Sequence, residues 1–317
     1  MFITFLHNAI RFSTIFIFGS TGETLTEKSG HLNLGIPGVM CFGAVGGCLG
    51  ESWYLSTLES AADINAFLAI FIPIIVALIF GAFLGVVYSF FTVTLHCNQN
   101  VTGLTITTFG VGFNSFYMSE IKLDGIVAAA SYFNKGPMAL GKNVFGDLFL
   151  SYGTLVYLAI FVSIYVAIFI KHTRTGLNLR AVGENPATAD AVGINVTKYR
   201  YLATMFGSAI AALGGVFFIM DYLGGSIEYD IESFGWMAVA LVIFTVWKSD
   251  LGIIGSIVFG ALYIAPSYLG LSFSGTQLFK LVPYVATLII LIITSLINSK
   301  ETQPPKSLGL NYFREER

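Results

Sequence analysis

Apolar stretches at residues 8–25, 33–50, 66–94, 98–118, 150–170, 199–220, 232–247, 251–271 and 278–298 occupy most of this chain. A helix of about 20 residues matches a bilayer hydrocarbon core of roughly 30 Å. Inside that core no water satisfies backbone N–H and C=O groups, so a spanning segment is either a helix or part of a closed barrel. The runs are continuous rather than alternating, which excludes the barrel. Composition agrees: 11% of the residues are charged and 55% hydrophobic, with a mean hydropathy of +0.78. A soluble domain carries roughly 25% charged residues. The expectation is an all-α integral membrane protein with one transmembrane domain over 1–317, a polytopic bundle of about eight to ten helices. Segment 8–25 is the weakest span because Arg11 and Glu23 fall near its ends. Segment 66–94 is long enough to tilt or break, with Pro73 near its start.

Charge placement orients the bundle. Lys171, Arg174, Arg180, Lys198 and Arg200 cluster in 171–200, and Lys300, Lys306, Arg314 and Arg317 lie in the tail 299–317. Loops 51–65 and 221–232 hold acidic residues and neither Lys nor Arg. The positive-inside rule predicts that the first pair is cytoplasmic and the second external. Alternation then requires a tight inner turn at Lys248 and Asp250, and it makes 119–148 an external loop. Small residues spaced four apart in "GAVGG" (43–47), "GAFLG" (81–85) and "AALGG" (211–215) predict close helix–helix contacts. The formal net charge of −2 suggests no nucleic-acid partner.

One polar stretch stands out, "TGLNLRAVGENPATADAVGINVTKYR" at 175–200. Asn185 is a favoured N-cap and Pro186 suits the first helical position, where its missing N–H costs nothing. Gly193 supplies a left-handed stop. A helix this short has little stability of its own, and its small residues Ala187, Thr188, Ala189 and Ala191 suit docking into a groove on a partner.

This stretch resembles the signature cytoplasmic loop of ATP-binding-cassette importer permeases of the branched-chain amino acid, ribose and nucleoside group. The resemblance implies that Glu184, Asn185, Pro186, Ala187, Ala189, Asp190 and Gly193 belong to a coupling helix that inserts into an ATPase subunit. A second block, "GETLTEKSGHLNLGIPGVMCFGA" (22–44), is similar to the N-terminal block of the nucleoside permeases that work with basic membrane lipoproteins. Glu27, Ser29, Gly30, Asn33, Leu34, Gly35, Gly38 and Met40 match, whereas His31 and Pro37 replace an apolar residue and a Glu. Physically, "NLGIPG" reads as a helix interrupted at Gly35, Pro37 and Gly38, and broken helices are where transporters build binding sites. A third block, "LHCNQNVTGLTITTFGVGF" (95–113), resembles the family's Asn-Gln region through Asn98, Gln99, Val101 and Gly103.

Polar side chains within spans face the bundle interior or a water-filled path. Asn33, Gly35, Asn98, Gln99, Thr102, Thr105, Thr107, Phe109 and Asn114 are therefore the candidate substrate pathway, with amides and hydroxyls for a ribose or base edge and aromatic faces for stacking. Interhelical hydrogen bonding by Thr and Asn, with Phe facing lipid, is the structural alternative.

The resemblance implies a permease subunit of a bacterial inner-membrane importer that takes up nucleosides by alternating access. It also implies an ATPase subunit or tandem ATPase, a second permease and an extracytoplasmic substrate-binding lipoprotein. The external loop 119–148 mixes Lys122, Lys135 and Lys142 with Glu120, Asp124 and Asp147, and those lysines are the candidate docking residues for the lipoprotein. Flavins, sugars, purine bases and branched-chain amino acids are alternative solutes, and an ion-coupled secondary transporter is the alternative mechanism. No cofactor, metal site or enzymatic grouping is read from the chain. "GPMALGKN" (136–143) misses a phosphate-binding loop because Asn143 replaces the required Ser or Thr and no strand-to-helix frame surrounds it. His7, His31, His96 and His172 lie far apart, and Cys41, Cys48 and Cys97 read as small hydrophobes.

Overall fold

The computed structural model describes residues 2–60, 63–120, 123–134, 146, 149–226, 230–270, 272–297 and 303–313, and these contain helices and no strand. In chain order the helices are α1 Phe2–Glu27, α2 Ile36–Ser56, α3 Ala66–Ser89, α4 Gln99–Glu120, α5 Leu123–Asn134, α6 Thr154–His172, α7 Arg174–Glu184, α8 Pro186–Ala191, α9 Val196–Val216, α10 Ile231–Phe244, α11 Ser249–Leu269, α12 Phe273–Phe279 and α13 Val282–Ile297. Helix α3 continues as a π-helical turn over Phe90–Thr94, and α9 does so over Phe217–Tyr222.

Among the described residues, six helical segments are long and apolar enough to cross a bilayer: Phe2–Glu27, Ala66–Thr94, Thr154–His172, Val196–Tyr222, Asp250–Leu269 and Phe273–Leu296. The protein is a multi-pass membrane protein. Helices α2 and α4 reach 21 and 22 residues but carry many Gly, Ser and Thr, and α10 is shorter at 14 residues. Together these segments run back and forth between two ends of one bundle. At one end the start of α1 meets the loops and the α11 terminus: Arg11 pairs with Asp221, and Asn8 donates to Tyr268 at 2.6 Å. At the other end Gly30, just past α1, approaches Gly183 and accepts from Gly309 N–H at 3.2 Å. The turn at 245–248 sits there too, since the Trp247 indole donates to Glu27, and Lys171 pairs with Asp250 at 2.8 Å. This second end gathers segment 171–200 with tail residues 303–313. It is called the basic end below.

Helix α9 is the axis of the bundle and packs on α1, α2 and α3. Of its apolar span 78% is buried, against 11% for the segment ending at Leu296. Small residues permit this. A Cβ at Gly43 of α2 or Gly81 of α3 would run into Ala212, and one at Gly215 would strike the Met40 backbone. The three glycine-spaced motifs thus converge on one helix, where backbones approach because no side chain separates them. Segment 66–94 is neither split nor broken by Pro73, which lies in the first turns of α3.

The break at 22–44 differs from the sequence reading. It lies at 28–35, before α2, so "NLGIPG" is not a helix interrupted at Pro37 and Gly38. Pro37 occupies the first turn, where a missing N–H has no helical partner to lose, and its ring packs on Gly235 of α10. Gly38 lies within α2 because α4 crosses there, its Ile106 and Thr107 backbone against the Gly38 Cα.

Candidate functional site

Local sequence builds the short helix at the basic end. Asn185 is extended, at φ −152°, and its side-chain oxygen accepts from Thr188 N–H at 3.0 Å. Pro186 follows as the first helical residue. Gly193 ends the segment at φ +88°, a left-handed conformation that a side chain would strain, and Ile194 N–H closes it on the Ala189 carbonyl at 3.0 Å. Asn195 then caps α9 by accepting from Lys198 N–H at 2.9 Å. Two asparagine caps therefore hold α8 as a separate step between α7 and α9.

Helix α8 has an inner and an outer side. Glu184, Asn185, Thr188, Ala191 and Gly193 are exposed, and Val192 is 71% exposed. Pro186, Ala187 and Asp190 are half-buried. Ala189 departs from its expected place on the docking face. It is 3% exposed and packs with Val182, Val196, Ile194 and Tyr312. The six-residue helix needs an inward anchor, and Ala189 provides it. Asp190 accepts from the Tyr312 hydroxyl at 2.8 Å. A cavity of about 680 Å³ opens beside it, lined by Val93, His96, Asn195, Lys198 and Tyr312 among others.

Above this helix the basic end encloses polar groups that the sequence reading did not select. Glu23 and Glu27, one turn apart on α1, are buried, and neither Glu23 oxygen has a hydrogen-bond partner. Two carboxylates four residues apart in an apolar segment were the available signal. His31 is fully buried, with Nδ1 2.9 Å from the Thr204 hydroxyl and its ring edge-on to Tyr88. Burial and the Arg200 charge hold its pKa well below the usual histidine value, so the ring is neutral near pH 7. Burial likewise lowers Lys28 from the usual lysine range. Arg200, read from sequence as a loop charge, is 2% exposed and donates to the Leu310 carbonyl at 3.2 Å.

The candidate pathway residues divide between two faces of α4. Gln99, Thr102, Thr107 and Asn114 are buried. Gln99 accepts from Leu32 N–H at 2.9 Å and donates to Asn311 at 3.2 Å. Thr107 donates to the Leu34 carbonyl at 2.8 Å. Asn33 accepts from Gly35 N–H at 3.0 Å, and Gly35 lies against Gly103 and Ile106. These residues fasten segment 31–35 to α4. Asn114 is buried with neither amide atom bonded. Asn98 is exposed, accepting from Val101 N–H at 3.1 Å at the start of α4.

The outer face carries Thr105, Thr108, Phe109, Gly112, Ser115 and Phe116, all exposed. Thr105, Thr108 and Ser115 donate only to carbonyls four residues back in α4. Thr102, Thr105 and Phe109 come together with Phe83, Val87 and Phe91 of α3 and its π-helical turn along a groove of about 520 Å³. This face is half polar, unlike the outward sides of α3 and α13, which expose Phe71, Ile79, Phe83, Leu288, Ile292 and Leu296.

At the opposite end Asp221 is buried beneath the Arg11 guanidinium, which also donates to the Asp221 carbonyl. The predicted docking residues Lys122, Lys135 and Lys142, and the "GPMALGKN" stretch, lie outside the described residues. Among the described residues no cluster of three or more His, Cys, Asp or Glu side chains has metal-binding geometry.

Residues 5–292 match the family model described as "Branched-chain amino acid transport system / permease component". The chain is 28% identical to the nucleoside ABC transporter permease protein NupC of Lactococcus lactis over 322 aligned positions, covering 98% of this chain and 96% of that one. It is 27% identical to the guanosine ABC transporter permease protein NupQ of Bacillus subtilis, over 95% of this chain and 93% of that one. A putative glucose ABC transporter permease, TsgC13 of Haloferax volcanii, is 29% identical over 81% of this chain and 75% of its own length.

Proposed function

The chain belongs to the permease-component family of branched-chain amino acid transport systems, and on that premise we propose that it imports nucleosides, powered by a separate ATPase that grips α8. The observation that carries the reading is α8 itself. It is a capped helix with an inward anchor at Ala189 and an outward edge at Thr188, Ala191 and Val192, at the end of the bundle that the positive-inside rule makes cytoplasmic. A six-residue helix anchored on one side and left exposed on the other has a use when something else seats on its exposed edge.

The half-polar outer face of α4 is the proposed pathway surface, facing a second permease rather than lipid. Thr105 and Thr108 supply hydroxyls and Phe109 an aromatic face, which fits a solute with a ribose and a flat base. The relatives that align over nearly the whole chain, NupC and NupQ, carry nucleoside and guanosine names; the TsgC13 name keeps glucose among the solutes to test. ATP-driven movement at α8 tips the bundle between outward and inward openings. A binding lipoprotein is proposed to deliver solute at the end opposite the basic one, and a bacterial inner membrane to house the assembly.

The test uses Val192→Arg, since Ala189→Arg would break the anchor of α8. Coexpressed with its ATPase, the wild-type chain is expected to copurify with it and to take up labelled guanosine, and Val192→Arg is expected to lose both. Copurification and uptake unchanged in Val192→Arg would reject α8 as the coupling element. Competition of guanosine uptake by unlabelled adenosine, glucose and leucine then identifies the solute class.

A further inference from the structure

The C-terminal segment 303–313 does not hang free below the bundle. It threads across the α1–α2, α3–α4 and α7–α8 junctions at the basic end. Ser307 bonds the Gly183 carbonyl at the end of α7 through its N–H at 3.0 Å and its hydroxyl at 2.6 Å. Gly309 N–H donates to Gly30, in the turn between α1 and α2, and the Leu310 carbonyl accepts from Arg200 of α9. Asn311 Nδ2 donates to the His96 carbonyl at 2.6 Å and the Cys97 carbonyl at 3.2 Å, while its Oδ1 accepts from Gln99. Tyr312 reaches Asp190 of α8 at 2.8 Å and packs beside Ala189. The Phe313 ring lies on His96 at a centroid distance of 4.5 Å.

Two adjacent residues thus bind opposite sides of the basic end. Tyr312 holds α8, and Asn311 holds the α3–α4 junction together with the first residue of α4. Helix α8 and the start of α4 are otherwise separated by the cavity of about 680 Å³ bordered by His96, Asp190 and Tyr312. A push on α8 has open space in front of it where that cavity lies, and bonded atoms in front of it where the tail lies. From Gln99 the contact continues to Leu32 N–H, in the break that precedes α2.

We propose that segment 303–313 is the transmission strap of the transporter, with Tyr312 and Asn311 as positioning residues that convert displacement of α8 into movement of α4 and segment 31–35. The proposal rests on α8 being the ATPase-coupling element. It requires a contiguous set of bonded groups between two moving parts, and the series Asp190, Tyr312, Asn311, Gln99, Leu32 is one. The tail touches neither the groove beside Thr105 nor the exposed side of Val192 in this network, so Tyr312→Phe, which keeps the ring beside Ala189, and Asn311→Ala, which lies away from α8, leave solute contact and docking in place.

The test is made on the assembled transporter with its ATPase and binding protein in proteoliposomes, following ATP hydrolysis and labelled guanosine uptake together. Tyr312→Phe removes one oxygen, and Asn311→Ala removes the clamp on His96, Cys97 and Gln99. Both are expected to copurify with the ATPase as wild type does. Uptake per ATP hydrolysed is expected to fall, on the order of tenfold for Asn311→Ala, as for mutations along a coupling network, and by a smaller factor for Tyr312→Phe. Adding Gln99→Ala to Asn311→Ala is expected to lower the ratio little further, because the Asn311–Gln99 and Gln99–Leu32 links lie in series and the first is already cut. If Asn311→Ala does not accumulate, Tyr312→Phe alone decides. An unchanged ratio of uptake to hydrolysis would overturn the strap, while loss of copurification in Val192→Arg would still uphold α8. Val192→Arg with full copurification and uptake would instead remove the reading on which the strap depends.

Discussion

The two faces of α4 carry similar residues and do different things. Thr107 on the inner face donates out of its helix to the Leu34 carbonyl, and Gln99 bridges Leu32 and Asn311. Thr105 and Thr108 on the outer face donate back into α4. A hydroxyl that bonds another segment is part of the fastening. One that bonds its own helix leaves its lone pairs free for whatever comes to that face. The difference teaches that polarity within a span does not by itself mark a transport path, because a buried hydroxyl such as Thr107 is spent on holding two segments together.

The strongest way to break the comparison is on the inner face, where α2 and α4 touch through Gly38 and Gly110. Gly110→Leu forces a side chain into the Gly38 backbone and should cost upwards of about 3 kcal/mol. The measurable outcome is loss of monodisperse protein in detergent; a well-behaved variant would show that the contact is looser than drawn. The outer face should respond in the opposite sense. Thr105→Val combined with Thr108→Val is expected to lower guanosine uptake on the order of tenfold, as removal of polar groups that hold a solute does, with the thermal midpoint unmoved. A shifted midpoint with intact uptake would exchange the roles of the two faces.

Smaller effects sharpen the distinction. Thr107→Val leaves the Leu34 carbonyl unpaired and should lower stability by about 1–2 kcal/mol, read as an earlier thermal transition without a change in solute preference. His31 gives a pH test of the same inner region. Its neutral form is native, and the unfolded chain takes up a proton near the usual histidine value of 6.5 whereas the folded chain does so only well below it. Stability should therefore decline as pH falls below 6.5, by at most about 1.4 kcal/mol per pH unit, and His31→Gln should flatten that slope. An equal slope in both proteins would mean that another group carries the acid sensitivity.

Much of this was legible in the chain. The glycine spacing announced close helix contacts, and Gly43, Gly81 and Gly215 do meet neighbours at backbone distance. Asn185, Pro186 and Gly193 announced α8, because caps and left-handed stops act over four or five residues and need no distant partner. Other features needed the third dimension. Ala189 looked like a docking residue since small side chains suit both docking and burial, and Tyr312, far along the chain, decided between them. For Gln99 and Thr107 the chain showed polar groups on a helix but not their partners, since an amide or hydroxyl carries no sign of the face it occupies until segment 31–35 and α2 are placed.

By itself, then, the sequence determined that this is a bundle of membrane helices, that its positive charge gathers at one end, and that a short capped helix sits there. Hydropathy, charge and caps are local properties, and they survive in a linear reading. Only the tertiary structure decided that the tail returns to join α8 with α4, and that one face of α4 fastens while the other stays open. Those are contacts between residues more than 65 positions apart, from Leu32 to Gln99 and from Asp190 to Tyr312, and they exist because packing brings the junctions together at one end of the bundle.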